Sequence, residues 1–231
     1  MITINRANER GKSDLGWLKS NFSFSFANYH NPQRMGFGRL RVLNDDYIEA
    51  GRGFGAHPHD NMEIVTIPLS GELMHKDSTG KKEVIIPGQI QAMSAGSGIT
   101  HSEFNNSTKE PLEIFQIWIE TKEEDIEPRH ETKPVNIKKN SLVKVVSGDK
   151  SKDTLYIHQD ASIFLGEFTE ETELIHKIGK NRGVFIMAIE GTVKVDDETL
   201  NKRDSIEITD LDSVTINPSK GSKLILIDVP I

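Results

Sequence analysis

The chain contains no cysteine. That absence excludes disulfides, thiol nucleophiles, zinc–thiolate sites and iron–sulfur clusters together, so any redox chemistry must come from a bound metal or an organic cofactor. No apolar run approaches the length that spans a bilayer. The opening segment MITINRANERGKSDLGWLKS is polar and lacks the apolar stretch of a secretory signal. The expectation is a cytoplasmic protein with no membrane partner. Basic charge is also short: 28 Lys and Arg against 35 Asp and Glu leave a net charge of −7. Nucleic-acid binding needs a basic face that displaces counterions, so no nucleic-acid partner is expected. What is present is 231 residues, 35% hydrophobic and 27% charged. That is the composition of a folded globular protein, long enough for one large all-β domain or two small ones.

Helix signals are few. Apolar residues recur in runs of four to eight, broken by Gly, Asn, Asp and Pro. Leu40–Leu43 runs into Asn44-Asp45-Asp46, read as a turn, and Glu63–Ile67 precedes Ser70-Gly71. Val84–Ile86 leads to Pro87-Gly88, and Leu112–Ile119 is a longer run. Similar runs follow at Leu155–His158, Ala161–Phe168, Gly183–Ile189, Thr192–Val195, Ser205–Ile208 and Leu224–Val229. Many short strands at this spacing indicate sandwiches or barrels. Ile189-Glu190-Gly191-Thr192-Val193 echoes Leu69-Ser70-Gly71-Glu72-Leu73, a weak internal repeat that suggests two related barrels in tandem. The polar stretch from Lys122 (KEEDIEPRHETKP) carries two prolines and reads as a loop linking them. The expected division is an N-terminal barrel over residues 1–122, a linker over 123–140 and a C-terminal barrel over 141–231.

Two short motifs carry the chemistry. His57-Pro58-His59 and His101-Ser102-Glu103 are both i, i+2 pairs. In a strand such side chains share a face, roughly 7 Å apart. Three imidazoles and a carboxylate from two neighbouring strands suit a divalent first-row transition metal and leave coordination positions open. Pro58 lacks an N–H and suits an edge strand or a bulge. The alternative is a hydrogen-bonded polar cluster without an ion. Glu63 shares strand parity with the first pair but would lie roughly 13 Å from His59 along a straight strand. A metal–oxygen bond is only about 2.0–2.2 Å, so Glu103 is the expected carboxylate ligand. Glu63 is instead expected to hold the N–H of a ligand histidine. The second half has no comparable pair, and no metal site is expected there.

Gly51–Gly71 (GRGFGAHPHDNMEIVTIPLSG) resembles the first cupin motif, and Gly88–Asn105 (GQIQAMSAGSGITHSEFN) resembles the second. The second departs from the pattern, with Ser94 where proline is usual and two extra residues before the histidine. Those departures, with MGFGRLRVLNDDYIEAGRGFGAHPH and MSAGSGITHSE, are more similar to pirins. The resemblance covers nearly the whole chain. It implies an all-β fold of two tandem cupin (double-stranded β-helix, jelly-roll) barrels with one iron, Fe(2+), in the first. The matching ligands are His57, His59, His101 and Glu103, while Mn, Ni, Co, Cu or Zn also suit such a donor set.

The resemblance further implies a dioxygenase, acting on a flavonol such as quercetin with dioxygen as co-substrate. The heterocyclic ring would open with release of carbon monoxide. Glu103 is then also the candidate catalytic base, being the only ligand able to accept a proton. The alternative is a non-enzymatic metal-dependent regulator that binds a transcription factor or metabolic enzyme; a cupin isomerase or sugar-binding protein is a third reading. A monomer is expected for a chain that already pairs two barrels.

Other features yield less. Gly51-x-Gly53-x-Gly55 misplaces its third glycine for a nucleotide-binding loop. Asp45-Asp46 reads as a turn rather than an acid pair. His75 is either a pocket residue or a surface strand residue, and His30 and His130 lie in polar sequence without a usable signal. Trp17, Phe22, Phe24, Phe26 and Tyr29 read as packing around the barrel, with a wall for a flat substrate as the alternative.

Overall fold

Runs of β-branched and aromatic residues between glycine turns become strands along almost the whole chain, as the computed structural model of residues 1–231 describes. The order opens with β1 (Ile2–Asn5), a 3-10 turn at Ala7–Glu9, β2 (Gly11–Asp14), β3 (Leu18–Phe22) and β4 (Leu40–Ile48). It continues through β5 (Gly53–His59), β6 (Met62–Ser70), β7 (Leu73–Asp77), β8 (Lys82–Ile85), β9 (Gln89–Ser94), β10 (Ile99–Asn105), β11 (Leu112–Glu120) and β12 (Arg129–Pro134). Then come β13 (Leu142–Ser147), β14 (Leu155–Tyr156), β15 (Ser162–Glu167), β16 (Leu174–Lys177) and β17 (Arg182–Glu190). The order ends with β18 (Val193–Val195), β19 (Glu198–Leu200), β20 (Ser205–Thr209), β21 (Ser213–Pro218) and β22 (Lys223–Pro230). No helix is long and apolar enough to cross a membrane.

The chain forms two compact units that are not contiguous halves. One comprises Gly11–Val135 with Gly148–Gln159; the other comprises Met1–Arg10, Asn136–Ser147 and Asp160–Ile231. These bounds differ from the expected breaks at 122 and 141. The stretch read as a linker contains β12, whose Arg129–Pro134 pair with Ser94–Gln89 of β9. Its polarity hid it, because no β12 residue is fully buried and apolar alternation is missing.

In the first unit a seven-stranded sheet, β12-β9-β6-β11-β4-β3-β2, faces a four-stranded sheet, β5-β10-β7-β8. Leu18, Ile48, Leu73, Ile85, Leu112 and Ile114, drawn from both sheets, pack together between them. In the second unit one sheet runs β1-β20-β17-β22-β15-β13 and the other β16-β21-β18-β19. Its core includes Val184, Ile186, Val193, Val195, Ile206, Val214 and Leu226. The internal echo is a structural one: Gly71 and Gly191 take φ of 79° and 71° after the nine-residue strands β6 and β17. That left-handed conformation suits glycine. The fold is two tandem cupin barrels, as the sequence implied.

Two local expectations fail. Asn44-Asp45-Asp46 is not a turn; it continues β4, pairing with Gln116, Phe115 and Ile114 of β11. Glu63 does not continue the line of His57 and His59. Asn61, at φ 44°, turns the chain so that β5 and β6 enter different sheets and strand parity is lost between them.

Candidate metal centre

β10 sets the inward pattern. Its burial alternates from Ile99 to Asn105, so Ile99, His101, Glu103 and Asn105 point inward while Thr100 and Phe104 face out. β5 is the edge strand of the same sheet, where Pro58 deprives the ladder of nothing that matters. His57 lies directly across from His101, and His59 across from Ile99. Between these pairs and Glu103, which opposes Phe54, the register shifts by a bulge at Gly55-Ala56. Such a bulge re-aims side chains, and here it lets Phe54 and His57, three apart, both oppose inward-facing residues of β10.

The Nε2 atom of His101 stands 3.0 Å from Nε2 of His57 and 3.0 Å from Nε2 of His59. Two nitrogens bound at about 2.1 Å to one cation at right angles stand about 3.0 Å apart. His101 therefore already has the spacing of an adjacent ligand to each of the other two, and all three ligand atoms lie within 4.8 Å of one another. His57 Nδ1 donates to the Gly55 carbonyl at 2.8 Å, which fixes its tautomer and leaves the Nε2 lone pair free. Burial and the neighbouring His57 push His59 down to about 4, and the same causes push His101 lower still. Both are thus neutral at neutral pH, the form that ligates.

Glu103 is buried at 3% exposure but belongs to a different cluster, with His75 and His101. Gln116 Nε2 donates to its Oε2 at 2.6 Å, and Thr66 Oγ1 lies 3.4 Å from its Oε1. Burial, with the charge of Asp46, pushes its carboxyl up to about 7. Asp46 is likewise raised to about 7, chiefly by burial. Glu63 is fully buried, and its Oε2 accepts from Ser94 Oγ at 2.7 Å and from the His158 main-chain N–H at 3.0 Å. It anchors the returning segment 148–159 rather than holding a ligand histidine, which corrects the expectation.

A pocket of about 460 Å³ opens over the three histidines. Trp17, Phe26, Phe54, Ile64 and Trp118 form apolar walls, and Asn44, Asp46, Glu103 and Gln116 supply polar groups. Trp118 stands edge-on to His59, with ring centroids 4.9 Å apart and planes at 85°. The N-terminal aromatics therefore divide: Phe22 and Phe24 are buried packing, while Trp17 and Phe26 line the pocket.

Sequence reading also missed a network behind the centre. Asp77 Oδ2 accepts from His75 Nε2 at 2.9 Å and from His130 Nδ1 at 2.8 Å. Burial opposes charge on Asp77, but hydrogen bonds from Thr79, His130 and His75 outweigh it and hold the carboxyl well below its usual range. His75 is fully buried, not a surface residue, and His130 lies on β12 with its side chain enclosed. Spacing gave no hint, since His75 and His130 are far apart in the chain and neither is paired with a second histidine.

Sheet layers, strand order and a histidine cluster at the mouth of the first barrel define a bicupin with a candidate metal centre. Residues 3–119 match the sequence profile of the pirin family, and residues 144–229 match the quercetinase C-terminal cupin domain. The chain belongs to the pirin family. It is 41% identical to a quercetin 2,3-dioxygenase of Escherichia coli K12 over 230 residues, covering 100% of this chain and 99% of that one. It is 37% identical to a pirin-like protein of Caulobacter vibrioides, with 99% of each chain covered. Among solved structures, the bacterial pirin YhhW from Escherichia coli in complex with nickel(II) superposes with a TM-score of 0.95 at 41% identity. That match covers 100% of this chain and 99% of that one.

Proposed function

We propose that this protein is a metal-dependent dioxygenase that opens the heterocyclic ring of a flavonol such as quercetin, consuming dioxygen and releasing carbon monoxide. The observation that carries the reading is the convergence of three imidazoles, with His101 Nε2 3.0 Å from Nε2 of both His57 and His59, in an aromatic-walled pocket that also holds a buried carboxyl. The names of the Escherichia coli relatives support it.

His57, His59 and His101 would hold one divalent cation. Glu103, which groups with His101 and His75 rather than with His57 and His59, is the fourth ligand that the family resemblance implies. Fe(2+) is the ion the family resemblance favours; Ni(2+), present in the Escherichia coli pirin complex, and other divalent transition metals suit the same donors. A bound cation supplies Lewis acidity and a template for the reactants. The rest falls to the chain itself. Trp17, Phe26, Phe54 and Trp118 enclose a flat ring system and keep water from it. Glu103, the buried carboxylate of the pocket, is the group placed to take the proton of the flavonol hydroxyl. Gln116 and Thr66 hold that carboxyl in place.

The test is direct. Protein loaded without air receives quercetin and then oxygen, while the flavonol's visible absorbance and carbon monoxide are followed. Turnover with carbon monoxide release is expected. Absence of turnover with iron, manganese, nickel, cobalt, copper and zinc alike overturns the reading.

A further inference from the structure

Two pocket groups have no task in that chemistry. Asn44 and Asp46 lie two apart on β4, so both point to the same face of the strand. Each is only 4% exposed, and both line the pocket. Asn44 Oδ1 and Asp46 Oδ1 are buried acceptors without a hydrogen-bond partner. Burying an acceptor without a donor is costly, and such groups are rare in folded proteins. The side chain of Ser20, the strand partner of Asp46, hydrogen-bonds that carboxyl, yet its Oδ1 atom stays without a partner. Gln116, the strand partner of Asn44, is itself engaged: its amide nitrogen donates to Glu103 Oε2 at 2.6 Å and its Oε1 accepts from Thr66 Oγ1 at 3.2 Å. Of the apolar walls, Phe26, Phe54 and Ile64 offer no donor.

We propose that Asn44 and Asp46 form a hydroxyl-reading subsite that selects flavonols carrying hydroxyl groups away from the metal-binding edge. The inference rests on the flavonol reading above and deepens it. A site built from acceptors rewards a ligand that brings O–H donors and rejects the analogue without them, because the acceptors then stay buried and unpaired. The apolar walls recognise any flat aromatic skeleton; the two oxygens discriminate by hydroxylation. The ligand class is therefore a polyhydroxylated aromatic, not an aromatic skeleton alone.

Two probes isolate this term. Quercetin and 3-hydroxyflavone share the hydroxy-keto edge but differ in their other hydroxyls. The chain has two tryptophans, Trp17 and Trp118, and both line the pocket, so quenching of their fluorescence reports binding without turnover. Titrations are run on metal-loaded protein without air. Wild type is expected to bind quercetin at least about tenfold more tightly than 3-hydroxyflavone. Asn44→Leu and Asp46→Leu remove the acceptors at similar volume, and each is expected to cut that ratio about threefold or more while leaving 3-hydroxyflavone affinity within about twofold.

Circular dichroism and metal content check folding; if Asp46→Leu does not fold, Asn44→Leu alone decides. Equal affinity of wild type for both probes, or a full ratio retained in a folded variant, overturns the subsite and leaves the flavonol reading standing. Binding of neither probe overturns both.

Discussion

At the scale of single residues, the candidate centre depends on imidazoles whose lone pairs are already aimed. His59 is the most informative of them. It faces His101 at 3.0 Å and packs under Trp118, so it contributes both a donor atom and a pocket contact. His59→Ala removes one of three converging nitrogens without disturbing the buried core. Metal content of the purified variant is expected to fall several-fold or more against wild type, read by elemental analysis, with strand content by circular dichroism unchanged. An unchanged metal stoichiometry would remove His59 from the ligand set. Asp46 shows the opposite lesson. Asn-Asp-Asp is turn chemistry in isolation, yet here it lies inside a strand with two of its side chains turned to the pocket. Local propensity yields where a site needs polar groups on a strand.

At the scale of elements, the centre is a product of how β5 docks on β10. Gly53 opposes Phe104 in that ladder, and a Cβ there would meet the Glu103 carbonyl oxygen at 2.2 Å and the Phe104 Cα at 2.4 Å. Both are main-chain atoms, so the strand itself must move. Gly53→Ala is expected to lift the start of β5, lowering the melting temperature by several degrees and reducing metal content together. Normal metal content with unchanged melting would show that β5 tolerates the shift.

The same elements mark how far sequence reading reaches. Strands that are near-continuous apolar runs between turn residues, such as β6, β11, β17 and β22, were legible from pattern alone. So were the two histidine-bearing motifs, because i, i+2 spacing is a local property of strands. β12 was not, since it is polar throughout. The role of Glu63 was not either, because Asn61 breaks the parity on which a straight-strand argument rests. In the His75–Asp77–His130 network, His75 and Asp77 are an i, i+2 pair on β7, but the contact with His130 reaches β12 in the facing sheet, which no spacing encodes.

At the scale of the whole molecule, the chain's ends matter more than its midpoint. Met1–Arg10 belongs to the unit built largely from the C-terminal third of the sequence, through pairing of Ile2–Asn5 with Ile208–Ser205. Asp204 fastens this long-range closure. Its Oδ1 accepts the Ala7 main-chain N–H at 2.8 Å, and its Oδ2 accepts Arg6 Nη1 at 2.9 Å and the Asn201 main-chain N–H at 3.1 Å. Burial opposes the charge, but the Ala7, Arg6 and Asn201 hydrogen bonds outweigh it and hold the carboxyl below its ordinary 3.8. A carboxyl depressed in the folded state adds stability above its unfolded value and loses it as pH falls through the folded one.

Arg6 is 40% exposed, so solvent screens much of that ion pair and the main-chain donors carry most of the effect. Asp204→Asn is therefore expected to lower stability of this unit by about 1–2 kcal/mol at pH 7, in urea unfolding followed by circular dichroism. The difference from wild type should shrink as pH falls below the ordinary 3.8 and through the lowered folded value, below which both side chains are neutral. A deficit of the same size at pH 3 and pH 7 would mean that shape, not charge, holds the N-terminal segment in place.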